Sequence, residues 1–155
     1  MNASTVILRT SLAVSAVWLL ALGYALALEK EKFPYATVAS SCAPWDGPAI
    51  ELRFSTAPLQ CAPADIIELN ISFWRNLPLH DDQTFTIEAK SNWGGASYCK
   101  GGQPSCERAT SGSIHIQTFA QGKAAKGTYD LVFLKLGHVS GSFRAEWCQA
   151  RVVCG

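Results

Sequence analysis

Once a single arginine is set aside, this chain carries no net charge. Arg9 is the one charged residue in positions 1–27, so of 13 basic and 12 acidic residues the remainder holds twelve of each sign. A balanced chain has no electrostatic footprint for nucleic acid, and no basic block points to an anionic membrane surface. No CxxC occurs, and no histidine stands at ligand spacing from a cysteine pair, so a zinc site is not expected. A GxSxG elbow is missing, as are phosphate loops and dinucleotide fingerprints. No internal repeat and no useful amphipathic helix follows residue 28. The sequence therefore assigns no catalytic residue, no metal ligand and no cofactor.

What is present begins with an uncharged run. Residues 11–28 read SLAVSAVWLLALGYALAL, with Arg9 as a minimal positive flank. Ala25-Leu26-Ala27 is a small-x-small cleavage site, and Glu29-Lys30-Glu31-Lys32 follows it. That layout predicts a secretory signal peptide over 1–27. The alternative is an uncleaved membrane anchor, since eighteen uncharged residues sit at the low edge of a bilayer span. Membrane contact is expected only through this segment. All six cysteines lie after it: Cys42, Cys61, Cys99, Cys106, Cys148 and Cys154. An even count behind an export signal predicts a disulfide framework in an oxidising compartment, periplasmic or extracellular. Cys99 and Cys106 flank Gly101-Gly102 and Pro104, so the chain can turn back within that loop and bond the two to each other.

Hydrophobic periodicity predicts an all-β domain. The stretch from Gly112 to Cys148 repeats apolar residues at every second position: Ile114 and Ile116; Tyr129, Leu131 and Phe133; Phe143, Ala145 and Trp147. Residues 49–55, 66–75 and 83–90 alternate in the same way, and Tyr98 can close a further short strand. About seven short strands with frequent turn signals indicate a single antiparallel β-sandwich or small barrel. The expected organisation is a signal or anchor helix at 1–27, a Pro- and Gly-bearing linker at 28–48, and a β-domain at 49–155, with 91–111 largely loop.

Few residues offer chemistry. His80, His115 and His138 have no partner motif and are expected at the surface. His80-Asp81-Asp82 is the one imidazole and acid cluster, and reads as a solvated turn. Trp18 belongs to the signal segment. Trp45, Trp74 and Trp93 lie in or beside loops, or on the polar face of a strand, and form a candidate ligand surface for a protein or glycan partner. Core filling at strand ends is the competing reading. Asn70-Ile71-Ser72 is a formal glycosylation sequon.

The C-terminal run GTYDLVF…VSGSFRAEWC resembles a recurring ending in small exported bacterial β-domain proteins of unassigned function. The pattern there is GxYxLxF, a turn, then GxFxAxWC, with a cysteine pair before the preceding strand. Gly127, Tyr129, Leu131 and Phe133, then Gly141, Phe143, Ala145, Trp147 and Cys148, match it. Cys99 and Cys106 match the upstream pair, and Cys42 matches an early cysteine. Cys61 and Cys154 are additions. The resemblance implies an exported β-domain and brings no activity. It also implies Cys42–Cys148 and Cys61–Cys154, with neighbour pairing, Cys42–Cys61 and Cys148–Cys154, as the alternative.

Three functional readings follow. The first is an exported, disulfide-stabilised binding or interaction module. The second is a small hydrolase of envelope polymers, with a carboxylate pair drawn from Asp81, Asp82, Glu107 and Glu146. The third is a structural subunit anchored by residues 11–28. For the last hairpin, burial of Tyr129, Leu131 and Phe133 beside Phe143, Ala145 and Trp147 predicts opposed positions summing to 276, Phe133 against Phe143, with a three-residue loop or a bulge.

Overall fold

The alternating stretches form strands, and the strands close on themselves. In the computed structural model, residues 33–59, 61, 68–74, 78–88, 91–100, 105–149 and 152–154 are described. The signal or anchor segment 1–27 and the start of the expected linker lie outside them. The elements are β1 (Tyr35–Cys42), β2 (Pro48–Ser55), β3 (Leu69–Trp74), β4 (Gln83–Ile87), β5 (Gly94–Tyr98), β6 (Glu107–Ala120), β7 (Ala124–Phe133) and β8 (Gly137–Cys148). Neighbours run β6-β5-β3-β2-β1-β8-β7, and β7 returns to β6. The result is a closed seven-strand barrel, with β4 as an extra strand on the edge of β6. The pairs are antiparallel except β1–β8.

The inner face carries the core. Val38, Leu52, Phe54, Leu69, Ile71, Ile114, Ile116, Leu131 and Phe133 are all but inaccessible. Phe54 meets Tyr129 and Phe143 edge-on, at 5.2 and 5.5 Å between ring centroids. Phe73, Phe85 and Trp93 form a second aromatic cluster, with centroids 4.9–5.6 Å apart.

Two expected boundaries move. The stretch 28–48 is not a linker throughout, because β1 lies inside it and joins both β2 and β8. Its sequence YATVASSC hides the period of two, since both faces are covered: Val38 points inward, while Thr37 and Ala39 on the other face are also buried. The region 91–111 is not largely loop either. It contains β5 and the first residues of β6.

The disulfides follow the topology. Cys99 bonds Cys106, as the loop composition predicts. The other two bonds are Cys42–Cys154 and Cys61–Cys148, the reverse of the pairing the resemblance implies. The parallel register explains the exchange. Cys148 sits beside Ala39, so Cys42 is three residues further along β1. That is about 10 Å of extended chain, beyond the roughly 7 Å that a disulfide tolerates between Cα atoms. The chain past β8 supplies Cys154 instead, at a Cα–Cα distance of 5.7 Å from Cys42. Cys61, in the chain that leaves β2, reaches the buried Cys148 on the outer face.

The last hairpin has the expected facing but not the expected register. Tyr129, Leu131 and Phe133 share the inner face with Phe143 and Ala145. The opposed positions sum to 270, however, with Phe133 against Gly137, Tyr129 against Gly141 and Gly127 against Phe143. A closed barrel has a fixed interior, so each large ring is placed opposite a glycine rather than another ring. The loop is the three residues Leu134–Leu136, and Gly137 follows at φ +81°, a left-handed conformation that ends such a turn.

Candidate functional site: a notch between β4 and β5

The three candidate tryptophans separate. Trp45 stands on a tight turn between β1 and β2, where the Asp46 N–H donates to the Ala43 carbonyl at 2.9 Å. Its ring is 55% exposed and meets Trp74 edge-on at 5.8 Å. Trp74 closes β3 on the outer face, half-buried. Trp93 does not join them. It stacks on Phe73 and its indole N–H donates to the Thr86 carbonyl at 2.9 Å, so it belongs to the core cluster under β4. Trp93 thus fills the core, while Trp45 and Trp74 form a pair at the surface.

Trp74 also lines the rim of a cavity of about 250 Å³. The cavity arises from how β6 shares one edge between two strands. β5 pairs with β6 at Ser97–Arg108 and Tyr98–Glu107 only, and β4 takes over from Gly112 to Ile116. Residues 109–111 of β6 are left between them. Beyond Ser97, β5 has no strand on that side among the described residues, although its other edge pairs with β3 through Gly94. The gap is a wedge-shaped notch in the barrel wall.

Its lining is mixed. Ser72, Trp74, Gly95, Ser97 and Thr110 face outward around the mouth, and Ile87, Ala96 and Ala109 form an apolar floor. Arg108 and Glu88, both exposed, mark its two ends. The β5 run Gly-Gly-Ala-Ser keeps the notch open. At Gly94 the backbone passes so close to β3 that a Cβ would lie 1.8 Å from the Ser72 carbonyl oxygen, and φ is +151°. At Gly95 a Cβ would meet no atom within 4 Å. Gly94 is required by packing, whereas Gly95 leaves space unfilled.

A polar network stands beside the mouth. Glu51 accepts from Arg53 at 2.6–2.7 Å and from the Asn70 side-chain amide, and the Ser72 hydroxyl donates to Asn70 at 3.3 Å. The sequon amide at Asn70 is thus engaged within the β2–β3 surface.

The remaining candidates stay apart. Asp81 accepts from the Phe119 N–H at 2.6 Å, and Asp82 lies 3.5 Å from the His115 ring, which also meets Thr84 at 3.0 Å. His80 is exposed, and His138 contacts Asp130 at 2.8 Å on the outer surface. Glu107 accepts from the Lys135 N–H at 2.5 Å near the opposite end of β6 from Asp81 and Asp82, and Glu146 is exposed on β8. These four acids converge on no common cleft. Among the described residues, no three of His, Cys, Asp and Glu gather where a metal ion could sit.

Of the residues that line the notch, the sequence singled out Trp74 as a candidate and not Ile87, Glu88, Gly95, Arg108 or Thr110. The one available signal was four consecutive small residues after Trp93, read as loop. No family model, no curated protein and no solved structure matches this chain. The site therefore stands on its own geometry.

Proposed function

We propose that this chain is an exported, disulfide-stabilised binding module, and that the notch between β4 and β5 is where it takes its ligand. The observation that carries this reading is a mouth of mixed chemistry in the barrel wall: an aromatic ring, hydroxyls, an arginine and a glutamate over an apolar floor. Concave sites that join apolar surface to a few fixed polar groups are the usual form of a ligand pocket. Three disulfides fit an oxidising compartment, periplasmic or extracellular. The Gly127–Phe133 and Gly141–Cys148 pattern falls on the facing strands β7 and β8, which supports taking the resemblance to small exported β-domains as one of fold.

Gly95→Trp tests the site, because it fills the notch from a position with free space. Labelled full-length protein is applied to glycan and linear-peptide arrays beside the G95W variant. Binding by the parent that is lost in G95W supports the notch. Binding that persists unchanged places the ligand elsewhere. Export is tested separately by mass spectrometry of the mature N-terminus, expected after Ala27; an intact residue 1 in the mature protein favours the anchored form.

A further inference from the structure

We infer that the notch receives a primary ammonium group on an apolar stem whose far end carries a carboxylate, as in a free ω-amino acid or a lysine at a peptide C-terminus. This rests on the notch being the ligand site and names its ligand class.

Four hydroxyls line the cavity, those of Ser72, Ser91, Ser97 and Thr110, and three of them have their protons committed. The Asn70 side-chain amide donates its N–H to Glu51, which leaves its oxygen for Ser72, and the Ser72 hydroxyl donates to that oxygen at 3.3 Å. Thr110 lies where the β6–β7 register shifts between Ala109 and Ser111, and its hydroxyl donates to the Val132 carbonyl at 3.1 Å. Ser91 donates to the Glu88 carbonyl at 3.0 Å and accepts from the Glu88 N–H at 2.8 Å. The oxygen that accepts is in each case a carbonyl with no proton to give, so the direction of all three bonds is fixed. A hydroxyl held in this way has only lone pairs left for a ligand. The Glu88 carboxylate adds further acceptors to the same lining.

A lining of acceptors selects a donor. An ammonium brings three N–H donors and no acceptor, whereas a sugar hydroxyl brings an acceptor with every donor. Glu88 also supplies the countercharge, and hydrogen bonds between charged partners are the strong ones. Charge of the other sign stands at the far end. Arg108 pairs with Ser97, and Glu88 follows the pairing of Ile87 with Gly112, so the two charges are separated along β6 by at most about 14 Å of strand. Both side chains are long enough to lean inward and shorten that span. Between them Ile87, Ala96 and Ala109 offer apolar surface for a methylene stem. The cavity of about 250 Å³ holds several groups of that size, since a water takes about 30 Å³ of liquid.

The test titrates the oxidised full chain with 6-aminohexanoate, hexylamine, hexanoate and 6-hydroxyhexanoate, followed by amide shifts in NMR. 6-Aminohexanoate should bind, hexylamine about tenfold more weakly, and the two compounds without an amine not at all. Shifts should concentrate at Gly95, Ser97 and Thr110. The N-trimethylated form of 6-aminohexanoate keeps the charge and loses every N–H, and should bind at least about tenfold more weakly. Glu88→Gln should weaken both amines about tenfold, while Arg108→Gln should remove only the advantage of 6-aminohexanoate over hexylamine. E88Q changes an exposed side chain, and so serves as a second variant should G95W fail to keep its three disulfides. A peptide ending in lysine, compared with its C-terminal amide, separates the sources: binding of the free-acid peptide alone assigns a chain terminus, and binding of 6-aminohexanoate without either peptide assigns a small molecule. Equal binding of 6-hydroxyhexanoate or of the trimethylated form overturns the ammonium assignment, as does binding by neither the amines nor the peptide. Glycan binding that G95W abolishes, without amine binding, would keep the notch as the site and refute the ammonium. Amine binding untouched by both G95W and E88Q would refute both.

Discussion

Phe54 shows how much of this barrel rests on single side chains. Its ring is fully buried between Tyr129 and Phe143, at the meeting of β2, β7 and β8. Phe54→Ala should destabilise the protein by about 3–5 kcal/mol, the cost of a large core ring and the cavity it leaves. A denaturant midpoint barely changed from that of the parent would contradict the packing. The adjacent glycines of β5 make a sharper comparison. Gly94→Ala places a Cβ against the Ser72 backbone, which only a shift of β3 or β5 can relieve, so a loss of about 1–3 kcal/mol is expected. Gly95→Ala meets nothing and should stay within about 0.5 kcal/mol. Equal effects in thermal unfolding would mean that β5 is not placed against β3 as described. At this scale the sequence is opaque, because two neighbouring glycines look alike until a neighbouring strand is brought against one of them.

Among the elements, alternation was legible and register was not. Residues 49–55, 83–90 and 127–147 announce strands by period two, and the inner face of the last hairpin follows from it. The register needed the closed interior, which sets Tyr129 against Gly141 and Phe143 against Gly127. Burial alone favoured stacking rings together, and that argument holds for an open sheet. β1 escaped notice because small residues covered on both faces do not alternate in polarity, and β5 because a Gly-Gly-Ala-Ser run carries no period at all. Disulfide pairing likewise depends on the parallel β1–β8 contact, which no local pattern encodes. The three bonds should differ in worth. Cys99–Cys106 closes 7 residues of sequence, whereas Cys61–Cys148 closes 87 and Cys42–Cys154 closes 112. On a loop-entropy scale these correspond to about 2.5 kcal/mol for the short loop and about 4.6–4.8 kcal/mol for the long ones. Paired Cys→Ser replacement should therefore lower the unfolding midpoint least at Cys99 and Cys106. Non-reducing peptide mapping that joins Cys42 to Cys148 would contradict the topology itself.

For the molecule as a whole, the ladders leave two stretches of edge among the described residues: where β6 passes from β5 to β4, and along β8 before Glu146, since β1 joins β8 only at Glu146–Cys148. Where the ladders are complete, closure removes the edges through which β-domains pair unintentionally. The exposed charges of Arg108 and Glu88 stand at the ends of the first of these. None of this was visible in composition or motif, because the site is a gap between strands and its lining comes from five separate segments. Hydrogen exchange along β5, followed amide by amide in the free protein, tests the opening most directly. The Trp93 carbonyl accepts from the Trp74 N–H, so the Gly94 N–H points away from β3, and the expected record has Gly95 and Ser97 protected by β3 and Gly94 exchanging much faster. Equal protection at all three amides would show that the notch is already closed beside Gly94, and would contradict the opening.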